Sequence, residues 1–198
     1  MGQAHLRLAI LLSGGGRTLA NLHLHIATGR LDARVHVVIS SRANAHGVAR
    51  SKEMGLPVVV VDRRRLSDEA FHHGITEAVE GVDLVCMAGF LSLWQIPDKF
   101  HRRVINIHPA LLPEFGGAGM YGRRVHQAVL DAGRTVSGCT VHFCDNQYDH
   151  GSIILQRQVP VFPRDSADDL AARVFEQECI AYPQAIHQIE CGDVPLGG

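Results

Sequence analysis

Residues 6–13 read LRLAILLS, a run that carries no charge after Arg7 and is stopped by Gly14, Gly15 and Gly16. Successive side chains of a strand point to opposite faces, so apolar residues at nearly every position mark a strand covered on both sides. A short run closed by glycines suits a strand better than a helix. Leu6–Ser13 is therefore expected at the centre of a sheet. In TLANLHLHIATG, which follows, Leu19, Leu22 and Ile26 fall at helical spacing and Gly29 is a natural stop.

The same alternation returns down the chain. Val35–Ser40 precedes a helical pattern over Ala45–Met54, Val58–Asp62 precedes one over Ser67–Val79, and Val82–Ala88 opens a further unit. Strands alternating with helices imply a parallel sheet with helices on both faces. The expected fold is an open, mostly parallel, Rossmann-like α/β sheet forming one domain over residues 1–198. Past residue 108 the rhythm changes. Gly116, Gly117, Gly119 and Gly122 predict a loop over the site before a helix containing Val125 and Leu130. Val136–Cys144 and Ile153–Val161 then read as an added, hairpin-like β pair toward the C-terminus. A last helix starts near Ser166, with DSADDL as its cap, and is expected to face the sheet with Leu170, Ala171, Val174, Ile180 and Ala181.

The composition limits the partners. With 46% hydrophobic and 20% charged residues and a formal net charge of −1, the chain is ordinary for a soluble protein and has no global field for nucleic acid or an anionic membrane. Small neutral-to-anionic ligands are expected, and no membrane contact, since no stretch approaches the roughly 20 apolar residues of a spanning helix. The five cysteines form no C-x-x-C pair and are an odd number, which suits reduced thiols and a cytoplasmic location.

Three stretches carry chemistry. SGGGRT, Ser13–Thr18, lies between the first strand and first helix, but lacks the third glycine of a dinucleotide fingerprint and the G-K-[ST] of a P-loop. Its glycines allow close backbone approach, and Arg17, Thr18 and the helix amides could hold one phosphate; a plain tight turn is the alternative. INIHP places Asn106 and His108 two residues apart, on one face of an extended segment that Pro109 ends. DNQYDHG carries Asp149 in a turn. Ligands of such sheets collect beyond the carboxyl ends of the strands, where the first two stretches should meet. The thirteen histidines show no metal-ligand spacing, so no metal is expected, and there is no G-x-S-x-G elbow. Arg63, Arg64 and Arg65 read more readily as a solvated face than as an anion site.

SGGGRTL, MAGFLSL, INIHPALLP, TVHFCDNQYDHGSIILQ and RVFEQECIAYP, in this order and over nearly the whole chain, resemble the phosphoribosylglycinamide formyltransferases, the folate-dependent transformylases of purine synthesis. The resemblance implies a monomeric or homodimeric enzyme moving a formyl group from 10-formyltetrahydrofolate to glycinamide ribonucleotide. It implies Asn106, His108 and Asp149 as the catalytic trio, with Gly16, Arg17 and Thr18 on the ribonucleotide phosphate and Glu178 on the ribonucleotide. Phe90, Leu91, Ser92, Leu93 and Trp94, together with Asn106, would hold the folate. Two features depart from that pattern: Ser92 replaces an arginine common in the GFxR segment, and FGGAGMYG is longer than the usual P-G-L-H form. The Arg63–Arg65 run is then the candidate for the folate glutamates.

The chemistry accounts for an amide and an imidazole side by side. Amine attack on a formyl carbon makes an oxyanion, and donors aimed at that oxygen stabilise the transition state more than the substrate. Asn106 supplies one donor. A protonated His108 would supply the other, with Asp149 expected to raise its pKa toward neutrality and to order a proton-carrying water. The rivals are a formyltetrahydrofolate deformylase, whose family carries an N-terminal regulatory domain expected to be absent here, and a formyltransferase for an amino sugar or for methionyl-tRNA, the last with a C-terminal domain also expected to be absent. A catalytically silent nucleotide sensor on the same scaffold is a further alternative.

Overall fold

The expected central strand is β1 (Leu6–Leu12), and its alternate residues enter two different cores. Leu8, Ile10 and Leu12 pack on one side of the sheet with Leu19, Leu22, Leu170 and Val174, while Ala9 and Leu11 pack on the other with Phe71, Ile75 and Val79. A position buried on both faces of the sheet has no room for a polar side chain, which is why the run is apolar from Leu8 to Leu12. The computed structural model describes residues 5–197; residues 1–4 and 198 of the expected domain lie outside it.

The elements that follow are α1 (Arg17–Ala27), β2 (Ala33–Ser40), α2 (His46–Glu53), β3 (Val58–Val60), α3 (Asp68–Ala78), β4 (Leu84–Met87), β5 (Val104–His108), α4 (Arg123–Asp131), β6 (Val136–Phe143), β7 (Ile153–Pro160) and α5 (Ala167–Glu190). Seven strands form a sheet in the order β3-β2-β1-β4-β5-β6-β7. The first five are parallel, and β6 and β7 add in antiparallel sense, the expected β pair. The chain reverses its direction of travel across the sheet between β1 and β4, and such a switch point opens a crevice beyond the strand ends.

Helix α5 closes one face of that crevice. Ser166 and Asp169 form a reciprocal capping box at its start, satisfying two orphan amides. Leu170, Val174 and Ala181 are fully buried, whereas Ile180 is 46% exposed, contrary to the expectation that it faces the sheet. Helical geometry explains the difference: about 3.6 residues per turn bring Ala181, three turns beyond Leu170, back to the buried stripe and leave Ile180 off it. Pro183 sits inside this helix and cannot donate to the carbonyl of Cys179. The side-chain amide of Asn21 in α1 donates to that carbonyl at 2.8 Å instead.

Beneath the crevice, the hydroxyl of Tyr182 reaches the carbonyls of Met87 at 2.9 Å and Ile105 at 3.1 Å, tying the ends of β4 and β5 together. Burial pushes this phenol well above its ordinary pKa, so it stays a donor. Leaving those two carbonyls without it would cost about 1–3 kcal/mol.

Candidate active site

The glycine loop after β1 is held from below. Gly16, at the N-cap of α1, has φ +70, a left-handed conformation that glycine adopts without strain. Gly47 donates its amide to the Gly14 carbonyl at 2.9 Å, and an Arg50 guanidinium nitrogen lies 2.5 Å from the Gly15 carbonyl. The first turn of α1 has neither a side-chain cap nor an acidic residue, so its amides remain available to an anion. Arg17 lies over the Phe175 ring at 4.2 Å. Burial pushes the nearby Glu178 carboxyl up to about 7, with the Arg17 charge partly offsetting it.

The loop after β4 forms a second wall. Ser13 joins it to the glycine loop twice: its amide donates to the Gly89 carbonyl at 3.0 Å, and its hydroxyl accepts the Leu91 amide at 2.9 Å. Phe90 stacks on Phe71 in α3, ring centroids 6.4 Å apart. Trp94 is 1% exposed, packed against Phe100 with its indole nitrogen donating to Thr76. Its ring therefore belongs mainly to the core beneath this wall.

The third wall is the end of β5. Asn106 pairs in register with His142 on β6, and His108 with Thr140. The His142 Nδ1 donates to the Phe143 carbonyl at 2.8 Å, which turns Nε2 toward the site. That nitrogen lies 3.2 Å from the Asn106 amide and 3.6 Å from Oδ1 of Asp149. As an acceptor it takes the Asn106 amide, while the Asp149 carboxylate faces it without a direct hydrogen bond.

Asp149 adopts φ +55, a conformation that short polar side chains tolerate better than most. Its Oδ2 accepts the Gly117 amide at 2.9 Å and lies 3.5 Å from His108 Nδ1. Burial alone would push this carboxyl up, but His142, the His108 charge and the Gly117 amide outweigh it and hold the carboxyl below the usual range. The His108 Nε2 donates to the Phe115 carbonyl at 2.8 Å. Asp149 does raise the His108 pKa, as expected, but burial is the larger effect and the net shift is downward. The expectation that the carboxylate alone sets His108 near neutrality is thus corrected by the cost of charging an imidazole 3% exposed.

Asn106, His108, Asp149, Arg17, Thr18, Gly16, Glu178 and Phe90–Trp94 all line one cleft of about 510 Å³. The 117–122 loop forms part of its wall, whereas Arg63–Arg65 do not line it. Arg63 is engaged with Asp68 and lies over the Phe71 ring. Among the described residues no group of three or more His, Cys, Asp or Glu could hold a metal ion, and no helix is long and apolar enough to cross a membrane. Among the cleft residues that sequence reading missed are two histidines, His142 and His126. His142 offered the signal that His108 did, a histidine inside an apolar run; His126 stands between Val125 and Val129 on the buried face of α4.

The fold is that of a protein family. The model of the formyl transferase family matches residues 6–186, and the chain belongs to that family. Within it, the chloroplastic phosphoribosylglycinamide formyltransferase of Vigna unguiculata is 36% identical over 190 residues, covering 92% of this chain and 60% of that protein. The phosphoribosylglycinamide formyltransferase of Haemophilus influenzae is 34% identical over 185 residues, covering 91% and 85%. The crystal structure of glycinamide ribonucleotide transformylase 1 from Symbiobacterium toebii matches with a TM-score of 0.90 at 38% identity, covering 98% of this chain and 92% of that one. The chain spans 60% and 65% of the length of the Vigna and Arabidopsis thaliana relatives.

Proposed function

We propose that this protein transfers the formyl group of 10-formyltetrahydrofolate to the amine of glycinamide ribonucleotide, acting as a single formyltransferase domain in the cytoplasm. The observation that carries the proposal is the convergence, in one cleft, of an uncapped glycine loop with Asn106, His108 and Asp149. The names of the relatives support the acceptor. Gly16, Arg17 and Thr18 take the phosphate, with the α1 amides supplying donors at the positive end of the helix. Glu178 takes the ribose hydroxyls. Phe90–Trp94 and Asn106 hold the folate, chiefly through backbone groups and the apolar wall.

The amine attacks the formyl carbon, and its oxygen gains charge as the carbon becomes tetrahedral. The Asn106 amide donates to that oxygen, and so does the Nδ1 proton of His108 when the ring is charged. Developing negative charge and the Asp149 carboxylate together oppose the burial that disfavours the charged form of His108. Asp149 lies beyond direct hydrogen-bond reach of either ring. A water held on the cleft side of the Asp149 carboxylate receives the proton of the attacking amine and delivers it to the departing folate nitrogen.

The test follows the absorbance change as 10-formyltetrahydrofolate becomes tetrahydrofolate, with and without glycinamide ribonucleotide. Formyl loss that depends on the ribonucleotide is expected. Equal loss without it would make the protein a deformylase, and no loss in either case would remove formyl transfer to this acceptor.

A further inference from the structure

Three buried side-chain polar atoms lack a partner among the described residues: Nδ1 of His126, Oγ of Ser137 and Oε1 of Gln188. Of these three residues, only His126 lines the cleft. It is 4% exposed. Leaving a buried donor or acceptor unpaired is costly, and for a residue on the cleft wall a ligand bound beside the ring is the natural source of the missing partner.

The position of the ring narrows the choice of ligand. His126 lies on α4, which packs against α5. The charged groups acting on it are His108, at the end of β5, and Asp168, in the first turn of α5. It thus stands between the catalytic strand end and the helix that carries Phe175 and Glu178. These surroundings belong to the ribonucleotide end of the cleft, and none of them is the β4 loop assigned to the folate.

We propose that His126 is a recognition residue for the ribonucleotide, its Nδ1 hydrogen-bonding a neutral group between the phosphate and the reacting amine, a ribose hydroxyl or the amide of the glycinamide arm. Burial, with the His108 charge adding to it, pushes the imidazole down to about 4. At neutral pH it is uncharged, which fits a hydroxyl or amide better than a phosphate. The inference rests on the formyl-transfer reading and adds a substrate contact to it.

The experiment measures KM for glycinamide ribonucleotide and for 10-formyltetrahydrofolate, kcat and Tm in the wild type and in His126→Leu, His126→Asn and His126→Gln. Leucine removes the orphaned atom and keeps the bulk, so Tm should hold or rise. Ribonucleotide KM should nevertheless rise about tenfold, the worth of one hydrogen bond of about 1.4 kcal/mol, while folate KM stays within about twofold. Asparagine places an amide near the Nδ1 position and glutamine places it near Nε2. His126→Asn should therefore recover much of the loss and His126→Gln should not, a contrast that decides the matter even if His126→Leu fails to fold. A stable His126→Leu with wild-type ribonucleotide KM, equal KM values for His126→Asn and His126→Gln, or a shift confined to the folate would overturn the inference while formyl transfer stands. A wild type without ribonucleotide-dependent turnover would overturn both.

Discussion

Oδ2 of Asp149 lies 3.5 Å from Nδ1 of His108 and accepts the Gly117 amide at 2.9 Å, so one carboxylate oxygen joins the end of β5 to the glycine-rich loop beside it. Asp149→Asn keeps this shape, because asparagine also tolerates a positive φ and can still accept from Gly117. It removes the charge that opposes the burial of His108. We expect kcat to fall at least about a hundredfold, as for loss of a positioned acid–base group. The limb of the kcat–pH profile that belongs to His108 should move to lower pH, since burial alone then acts on the ring. A profile and kcat like those of the wild type would reduce Asp149 to a turn residue.

Glu178 offers a second pH handle. Held at about 7 by burial, it passes from carboxylic acid to carboxylate across the physiological range. The carboxylate is the better partner for ribose hydroxyls. Ribonucleotide KM in the wild type should fall between pH 6 and pH 8 relative to that of Glu178→Gln, whose side chain does not titrate. Taking the ratio of the two KM values cancels the titration of the substrate itself. A constant ratio over that range would show that Glu178 does not meet the ribonucleotide as a charged group.

The sheet was legible from apolar patterning because β1, β4 and β5 are buried on both faces, a demand that leaves few residue choices. SGGGRT, Asn106 and His108 were legible because each interrupts such a run at a strand end. What escaped was the part set by pairing between distant segments. His142 joins the site only because β6 runs antiparallel to β5 and brings it opposite Asn106. The burial that lowers the His108 pKa is likewise a sum over several elements, which no local stretch displays. Ile180 went wrong for a simpler reason: an apolar side chain one residue off the helix stripe looks the same in a list of letters.

Close packing beneath the glycine loop gives a test remote from the chemistry. A Cβ on Gly47 would meet the Leu12 side chain at 2.8 Å and the Gly14 carbonyl at 2.9 Å. Both belong to the β1 end and the loop itself. Gly47→Ala should displace the loop and cost about 1–3 kcal/mol in urea unfolding, as overpacking does. Ribonucleotide KM should rise more than folate KM. Equal changes in both constants would mean that the loop does not serve the ribonucleotide alone.

Acid stability gives the last test, with the sign set by which state holds more protons. The His126 imidazole is pushed down to about 4 from 6.5, so between those values the unfolded chain binds the extra proton. Stability from this group therefore rises with pH through that window and is complete above it. His108 and Asp149, both shifted downward, act in the same direction, Asp149 only below its ordinary value of 3.8. Glu178 acts oppositely: raised from 4.5 to about 7, it makes the folded state hold the proton, and stability falls as pH rises through that range. The wild-type curve is consequently flattened where the two windows overlap, and only a difference measurement exposes either. His126→Leu deletes one rising contribution and leaves Glu178 in place. Relative to wild type, it should therefore gain about 1–2 kcal/mol more at pH 5 than at pH 7.5, at about 1.4 kcal/mol per pKa unit. Urea unfolding at the two pH values measures this directly, and an equal gain at both would mean that burial does not hold the His126 ring neutral.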